Sequence, residues 1–354
     1  MNYIVAVAGN LYSFYRNDGG LFWRQYRNDA WSDDVCIRKD GVVSFSVSIC
    51  DGGGILILCQ TSHQVEKILF DKGVLTTSSL VGGGLAGSYY GVHLGDETFL
   101  VHNIPVTAEY SQILMSHRVS AQGLWSDSKH LGRILPFEQD GQAFYAVPVK
   151  GQHFLVFYQA HKGGFNADLG YREVYGEKMG EFNIVQQSAN VSGQYYSFLA
   201  TTQGIHMLYT ARGMMNSSLI YRRKDINGLS SKITVSQGNN IHSPLLYIVD
   251  DELFLMFMRG DEVFVSSVQG DNIIPPTKVE NTINITLCKF IQDSSTKTNL
   301  NTNNLYVDTN RPWEIQFFTD IYNIIKKPSE KPLTLQIGNQ QDYENLFSPQ
   351  WDTN

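Results

Sequence analysis

Nine histidines, 34 acidic residues and four cysteines are this chain's raw material for chemistry. No two histidines form an H-E-x-x-H pair or stand at a spacing suited to zinc. His161 and His206 lie beside strand-like runs, where a histidine reads as a turn residue or a satisfied core residue. Carboxylates are spread over turn segments at Asp51, Asp96, Asp168, Asp250 and Asp251. Glycoside hydrolysis needs two of them converging about 5–10 Å apart across a pocket, and no pair stands out from the turn-forming background. No calcium loop of the EF-hand type is present. Gly82–Gly87 matches the spacing G-x-G-x-x-G, but the chemistry of that motif needs a helix N-terminus to receive a pyrophosphate. Here the glycines lead into the strand-like Ser88-Tyr89-Tyr90-Gly91-Val92, so they read as a loop between strands. The reading therefore holds no catalytic set, no metal site and no cofactor.

These groups must be positioned by a fold that the composition already narrows. Apolar residues make up 42% and charged residues 17%, with 31 glycines, 19 tyrosines and 19 phenylalanines. Many short strands joined by tight turns fit that balance. The formal charge of −7 offers nothing to a phosphate backbone, and Arg222-Arg223-Lys224 and Lys326-Lys327 are too short to form a basic stripe. Nucleic acid is not an expected partner. No stretch reaches the roughly 18 apolar residues of a membrane-spanning helix, and the start of the chain lacks a basic segment ahead of a long apolar run. Cys36, Cys50, Cys59 and Cys288 form no C-x-x-C pair, and the first three sit in apolar runs as small hydrophobes. A reducing, cytoplasmic setting is the expectation. There the sequons at Asn190, Asn216 and Asn284 stay unmodified.

Self-similarity is the dominant signal. A short motif recurs at Asn28-Asp29-Ala30-Trp31-Ser32, Lys72-Gly73-Val74-Leu75-Thr76 and Gln122-Gly123-Leu124-Trp125-Ser126. It returns at Met179-Gly180-Glu181-Phe182-Asn183, Asn227-Gly228-Leu229-Ser230 and Gly270-Asp271-Asn272-Ile273-Ile274. The spacing of about 48 residues is that of propeller blades. Each copy follows two or three β-rich runs, as in Val42 to Ile49, Ile55 to Gln60 and Val65 to Phe70. A four-stranded sheet cannot bury both faces alone, so repeated sheets stack on one another. Central runs such as Ile55-Leu56-Ile57-Leu58, Phe154 to Tyr158 and Leu253 to Met258 are then apolar on both sides. The expected fold is all-β: a six-bladed β-propeller of four-stranded blades over residues 1–290. Tyr3 to Ala8 and Ile283 to Phe290 are candidates for the strands that close it.

Residues 291–354 read as a short irregular extension. Asp293 to Asn304 is polar and expected to be a surface loop. Leu305 to Asp308 and Trp313 to Phe317 read as short strands. Phe317, Phe318, Ile321, Ile324 and Ile325 recur at helical spacing, and flexible chain is expected from Pro328.

The first unit carries a family likeness. Leu11 to Arg16, then Gly20-Leu21-Phe22-Trp23-Arg24-Gln25-Tyr26 and Ala30-Trp31-Ser32, resembles a blade of the fucose-binding propeller lectins. In that family an arginine, an acidic residue and aromatics between neighbouring blades hold the sugar. The resemblance points to Arg16, Trp23 and Trp31 as counterparts. Gln203 to Tyr209 with Leu219 to Arg222 is similar to sialidase-like propeller repeats, although the aspartate box of sialidases is absent. Trp31 and Trp125 recur at equivalent positions, as packing between blades or as a stacking platform for a sugar. The first functional expectation is a non-enzymatic binding scaffold for a protein partner. A carbohydrate-binding propeller is the second, and a glycoside-acting enzyme with carboxylates at a central funnel is the third.

Overall fold

The computed structural model describes residues 2–308 apart from 28–29, 51–52, 72, 83–86, 95–96, 109, 120–125, 135–143, 150–152, 165, 188–195, 202–203, 213–215, 250, 271, 280–284 and 294–299. The motif copy at 122–125, the strand expected over 313–317 and the helical stripe of 317–325 lie outside the described residues. Every regular element among the described residues is a β-strand. The chain divides into two compact units, residues 1–193 with 291–296, and 194–290 with 297–354.

In the first unit three antiparallel sheets follow one another. The first contains Tyr3–Val7, Asn10–Asn17 and Gly20–Arg27, with Ala30–Trp31 and Val35–Arg38 both paired on the last of these. The second runs Val42–Ile49, Ile55–Thr61, Gln64–Asp71 and Val74–Gly82 in sequence order. The third holds nine strands, and it consists of two successive meanders joined where Ile134 pairs with Ala160. The second unit repeats the pattern in a sheet from Tyr196–Thr201 to Ile233–Gly238 and another from Ile241–Val249 to Thr277–Lys278.

Central strands are buried from end to end, as their apolar runs require. All seven residues of Ile55–Thr61 are buried, and Phe154, Leu155, Val156 and Phe157 have no exposed surface. Sheets stack through these strands. Tyr3, Val5, Tyr12 and Phe14 of the first sheet share a core with Ile55, Ile57 and Phe70 of the second. Leu56, Leu58 and Val65 on the opposite face of the second sheet meet Tyr89 and Leu100 of the third. Within the third sheet Phe99 packs on Phe154 at 5.1 Å, so its two meanders also cover each other. In the second unit Leu199, Leu208 and Leu219 pack on Leu246, Leu255 and Phe257. Each buried Leu or Phe side chain contributes about 1.5–3 kcal/mol.

The recurring sequence motif is a hairpin with a two-residue turn. Tyr26 pairs with Trp31, Phe70 with Leu75, Val174 with Met179, Lys224 with Leu229 and Val268 with Ile273. Gly176 and Gly270 take positive φ in these turns (53° and 62°), as tight hairpins of this type demand. One residue further on, the amides of Ser32, Gly180, Ser230 and Ile274 donate back to Gln25, Glu173, Arg223 and Ser267 at 2.8–3.0 Å. Where that residue is serine its hydroxyl closes the turn again. Ser32 and Ser230 accept from the amides of Gln25 and Arg223 and donate to the carbonyls of Asp33 and Ser231. The small polar residue of the motif is therefore a hairpin lock.

Two sequence readings change. The polar run Asp293 to Asn304 does not end as a loop: Leu300–Thr302 is a strand on Ile241–Val249. Its polar side chains are spent on main chain, with Thr302 Oγ1 donating to Leu246 O (2.7 Å) and Asn303 Nδ2 to Phe198 O (2.7 Å). Cys36 is exposed, whereas Cys59 and Cys288 are buried as small hydrophobes; all four cysteines are free thiols. In the first unit the late segment returns to the first strand. Asp293 N donates to Ala6 O at 3.0 Å, Ala8 N donates to Asp293 Oδ2, and Ile291 packs on the core beside Val5 and Phe14.

Close strand approach in the third sheet depends on Gly170, where a Cβ would meet the carbonyl of Asn183 and stand 2.6 Å from Phe182 Cζ. Gly170→Ala is expected to cost about 1–3 kcal/mol through this overpacking, read as a lower urea midpoint. An unchanged midpoint would refute the tight approach.

Candidate functional site

A tyrosine on the second strand of a meander and an arginine on the third form a device that recurs in three meanders. In the fourth meander Arg172 Nε donates to Tyr158 Oη (3.1 Å) and Leu131 O (2.7 Å), and its Nη1 donates to Gly180 O (2.7 Å). Tyr158 Oη in turn donates to Leu131 O at 2.8 Å. In the sheet that opens the second unit, Arg222 donates from Nε and Nη2 to Ser230 O at 2.9 and 2.6 Å. It also bonds Tyr209, whose hydroxyl burial pushes up to about 12 although Arg222 works against the shift. In both places the guanidinium caps the carbonyl of the residue that locks the hairpin. These two arginines hold the fold.

The copy in the first sheet is turned to a different partner. Arg24 lies over the Tyr15 ring, 5.2 Å from its centroid, and its Nε donates to Tyr15 Oη at 3.1 Å. Instead of a backbone carbonyl it meets the carboxylate of Asp34. The Arg24 side chain is 18% exposed and that of Asp34 44%, so this pair is open to solvent at its acidic end. Burial opposes the charge on Asp34, yet hydrogen bonds from Arg24 and Tyr15 hold its carboxyl below the usual range. Burial and the bond to Asp34 push Tyr15 up to about 12. Phe22 stacks on Tyr15 at 5.8 Å. Tyr26 and Trp31, a cross-strand pair with ring centroids 5.2 Å apart, continue the same face because Phe22, Arg24 and Tyr26 alternate along one strand. The face presents a cation, a half-exposed carboxylate and aromatic rings, the groups that bind a polyhydroxylated ligand.

The three residues singled out by sequence are not gathered in one place. Trp23 pairs with Phe14 on the opposite face, packed on Phe70 (4.8 Å) and Tyr12 (5.9 Å) in the core shared with the second sheet. Arg16 is exposed on Trp23's face, two positions beyond Phe14, and donates to Val43 O. Trp31 alone stands on the face of Arg24. Sequence reasoning passed over Arg24, Tyr15 and Asp34. The signal was there: Arg24, Arg172 and Arg222 each precede the hairpin-locking residue by eight positions, as Arg118 precedes Ser126.

His206 is a satisfied core residue. Thr201 Oγ1 donates to Gly204 O (3.1 Å), so it accepts from His206 Nε2 (3.2 Å), and His206 Nδ1 accepts from Tyr221 Oη (2.7 Å). The ring is neutral in this network, its pKa lowered to about 4 by burial and by Arg223. A second surface feature is apolar. At or beside the hairpin turns Val74 is 67%, Tyr175 51% and Ile226 69% exposed.

No family model matches the sequence, and no curated protein matches it. Solved structures resemble it at low identity. The Aleuria aurantia lectin, solved with Fucalpha1-6GlcNAc, has a TM-score of 0.45 and 10% identity over 79% of this chain and 96% of its own. An ulvan lyase of a polysaccharide lyase family gives 0.45 and 14% over 76% and 79%. The virginiamycin B lyase of Staphylococcus aureus gives 0.45 and 9% over 78% and 84%. At these scores the architecture rests on this chain's own sheets and registers.

Two outcomes are expected in urea titrations. Arg222→Met strands the Ser230 carbonyl and costs about 1–3 kcal/mol, while Arg24→Met costs less than about 1 kcal/mol because its ion pair is half in water. Equal losses would contradict the distinction. Because His206 is neutral in the folded chain and titrates near 6.5 when unfolded, its contribution is intact above that pH. It falls by about 1.4 kcal/mol per unit as pH drops towards 4. His206→Gln should flatten the decline, and an unaltered slope would refute the assignment.

Proposed function

We propose that the chain is a six-bladed β-propeller that acts as a non-enzymatic binding scaffold for a protein partner. Successive sheets stacked within each unit, with one hairpin lock recurring in them, support the propeller reading. The observation that carries the scaffold reading is the large apolar side chains exposed at or beside the hairpin turns of different sheets: Val74, Tyr175 and Ile226. Nothing in the folding of a hairpin calls for an apolar residue there, and apolar groups at turn tips suit a partner's surface. Residues 291–354 form an extension to this scaffold, and the exposed thiol of Cys36 suits a reducing, cytoplasmic compartment. The test is capture from a lysate with the full chain as bait. Tyr175→Ser and Ile226→Asp should abolish recovery of the partner without lowering the melting temperature. Recovery that survives both changes would reject the reading.

A carbohydrate-binding role is the second reading, favoured by the Arg24–Asp34 pair beside Trp31 and Tyr26. A carboxylate and a guanidinium bind adjacent hydroxyls while an aromatic ring stacks on the apolar side of a pyranose. On a glycan array the wild-type chain should bind a defined set of sugars and Arg24→Met should lose them. Arg16→Ala reports separately on the opposite face, and an array silent for the wild-type chain removes the sugar reading.

A further inference from the structure

Ser243 stands in a conformation that its residue type disfavours. It lies in the strand Ile241–Val249 where the register breaks. His242 pairs with Met258 and Leu245 with Met256, so Ser243 and Pro244 together stand opposite Phe257. At this bulge Ser243 takes a left-handed backbone with φ 50°. Serine lacks the freedom of glycine there, and a residue ahead of proline is ordinarily held extended. Tyr306 holds the conformation in place by donating its hydroxyl to Ser243 O. Strain of this kind persists where neighbours over-determine it, and it concentrates at sites that do chemistry.

The side chains at the bulge are joined in one direction. His242 Nε2 lies 3.0 Å from Gly260 O, an atom that only accepts, so Nε2 carries the ring proton. Nδ1 is then bare and accepts from Ser243 Oγ at 3.0 Å. Gly260 is itself fixed in the turn before Glu262–Gln269, its amide donating to Asn240 O at 3.0 Å. A hydroxyl on a base whose other nitrogen is held by a third group is the arrangement that activates a serine. We propose that Ser243 is a nucleophile that takes one acyl group from a compact activated ester, with His242 as its base. Ser243 Oγ attacks the ester carbonyl carbon and passes its proton to His242 Nδ1. The bond from that carbon to the leaving oxygen then breaks, and His242 gives the proton to the departing oxygen or to water. Ser243 is 7% exposed, which limits the acyl group to a small one. A carbonyl behind His242 steadies the imidazolium less than a carboxylate does, so the acyl-serine accumulates instead of turning over. Ser243 is thus a modification site, separate from the apolar residues of the scaffold reading.

The probe is p-nitrophenyl acetate. After brief exposure of the full chain in mildly alkaline buffer, mass spectrometry should find an acetyl group on Ser243. Hydroxylamine should remove it, as it cleaves a serine ester and not a lysine amide. His242→Gln should form the adduct about 100-fold more slowly. Ser243→Gly should lose it altogether with the melting temperature kept or raised, because glycine takes the left-handed backbone without strain. The wild-type chain unfolded in urea gives a readout free of substitutions: Ser243 should then react no faster than the chain's other serines. No adduct at Ser243 in the folded chain would overturn the proposal. So would an adduct that forms equally fast in His242→Gln or in the unfolded chain.

Discussion

A strand that ends a meander must turn back without leaving its polar backbone groups unpaired between stacked sheets, because each such group costs about 1–3 kcal/mol. This chain meets the constraint with one arrangement used repeatedly. A two-residue turn is followed by a cross-strand pair and then by an amide that donates back to the third strand. Serine at that position adds two hydroxyl bonds, and an arginine eight residues earlier reaches across to cap the carbonyl. Trp31, Leu75, Met179, Leu229 and Ile273 hold equivalent cross-strand positions in these hairpins. The lock fixes where each fourth strand begins, and with it the faces that stack.

The arrangement is not the same in every sheet. Arg172 and Arg222 spend their donors on carbonyls of their own sheets. Arg24 keeps the tyrosine but exchanges the carbonyl for Asp34, which brings a charge pair to the surface beside Tyr26 and Trp31. In the fifth sheet Ser266 stands in the arginine's place and donates to Ile274 O, so the lock survives without a cation. The position eight residues before the lock thus holds a guanidinium on a carbonyl, a guanidinium paired with Asp34, or a serine.

Much of the fold was legible in the chain. Apolar runs bounded by glycine or aspartate became the central strands, and the motif copies at Trp31, Leu75, Met179, Leu229 and Ile273 became hairpins in register. The strand over 300–302 was not legible, since a polar run reads as loop unless its bonds to Leu246 and Phe198 are known. The candidate site was read less well. Likeness to a lectin blade drew attention to Trp23, which the register turns into the core, and to Arg16 on the same face. Which face a strand residue takes depends on register, and one position decides between Trp23 and Arg24. Periodicity held the better clue in the arginine spacing, but only a structure shows whether a guanidinium caps a carbonyl or meets a carboxylate.

The repeated lock is tested most directly by amide hydrogen exchange at Ser32, Gly180, Ser230 and Ile274 in the native chain. These four amides follow tight turns, where exposed backbone exchanges freely, yet each donates to the third strand of its sheet. Protection comparable to that of the central strands, and similar among the four, is expected if the lock is formed. Exchange at the rate of open loops would contradict it and leave the recurrence of the motif without a physical cause.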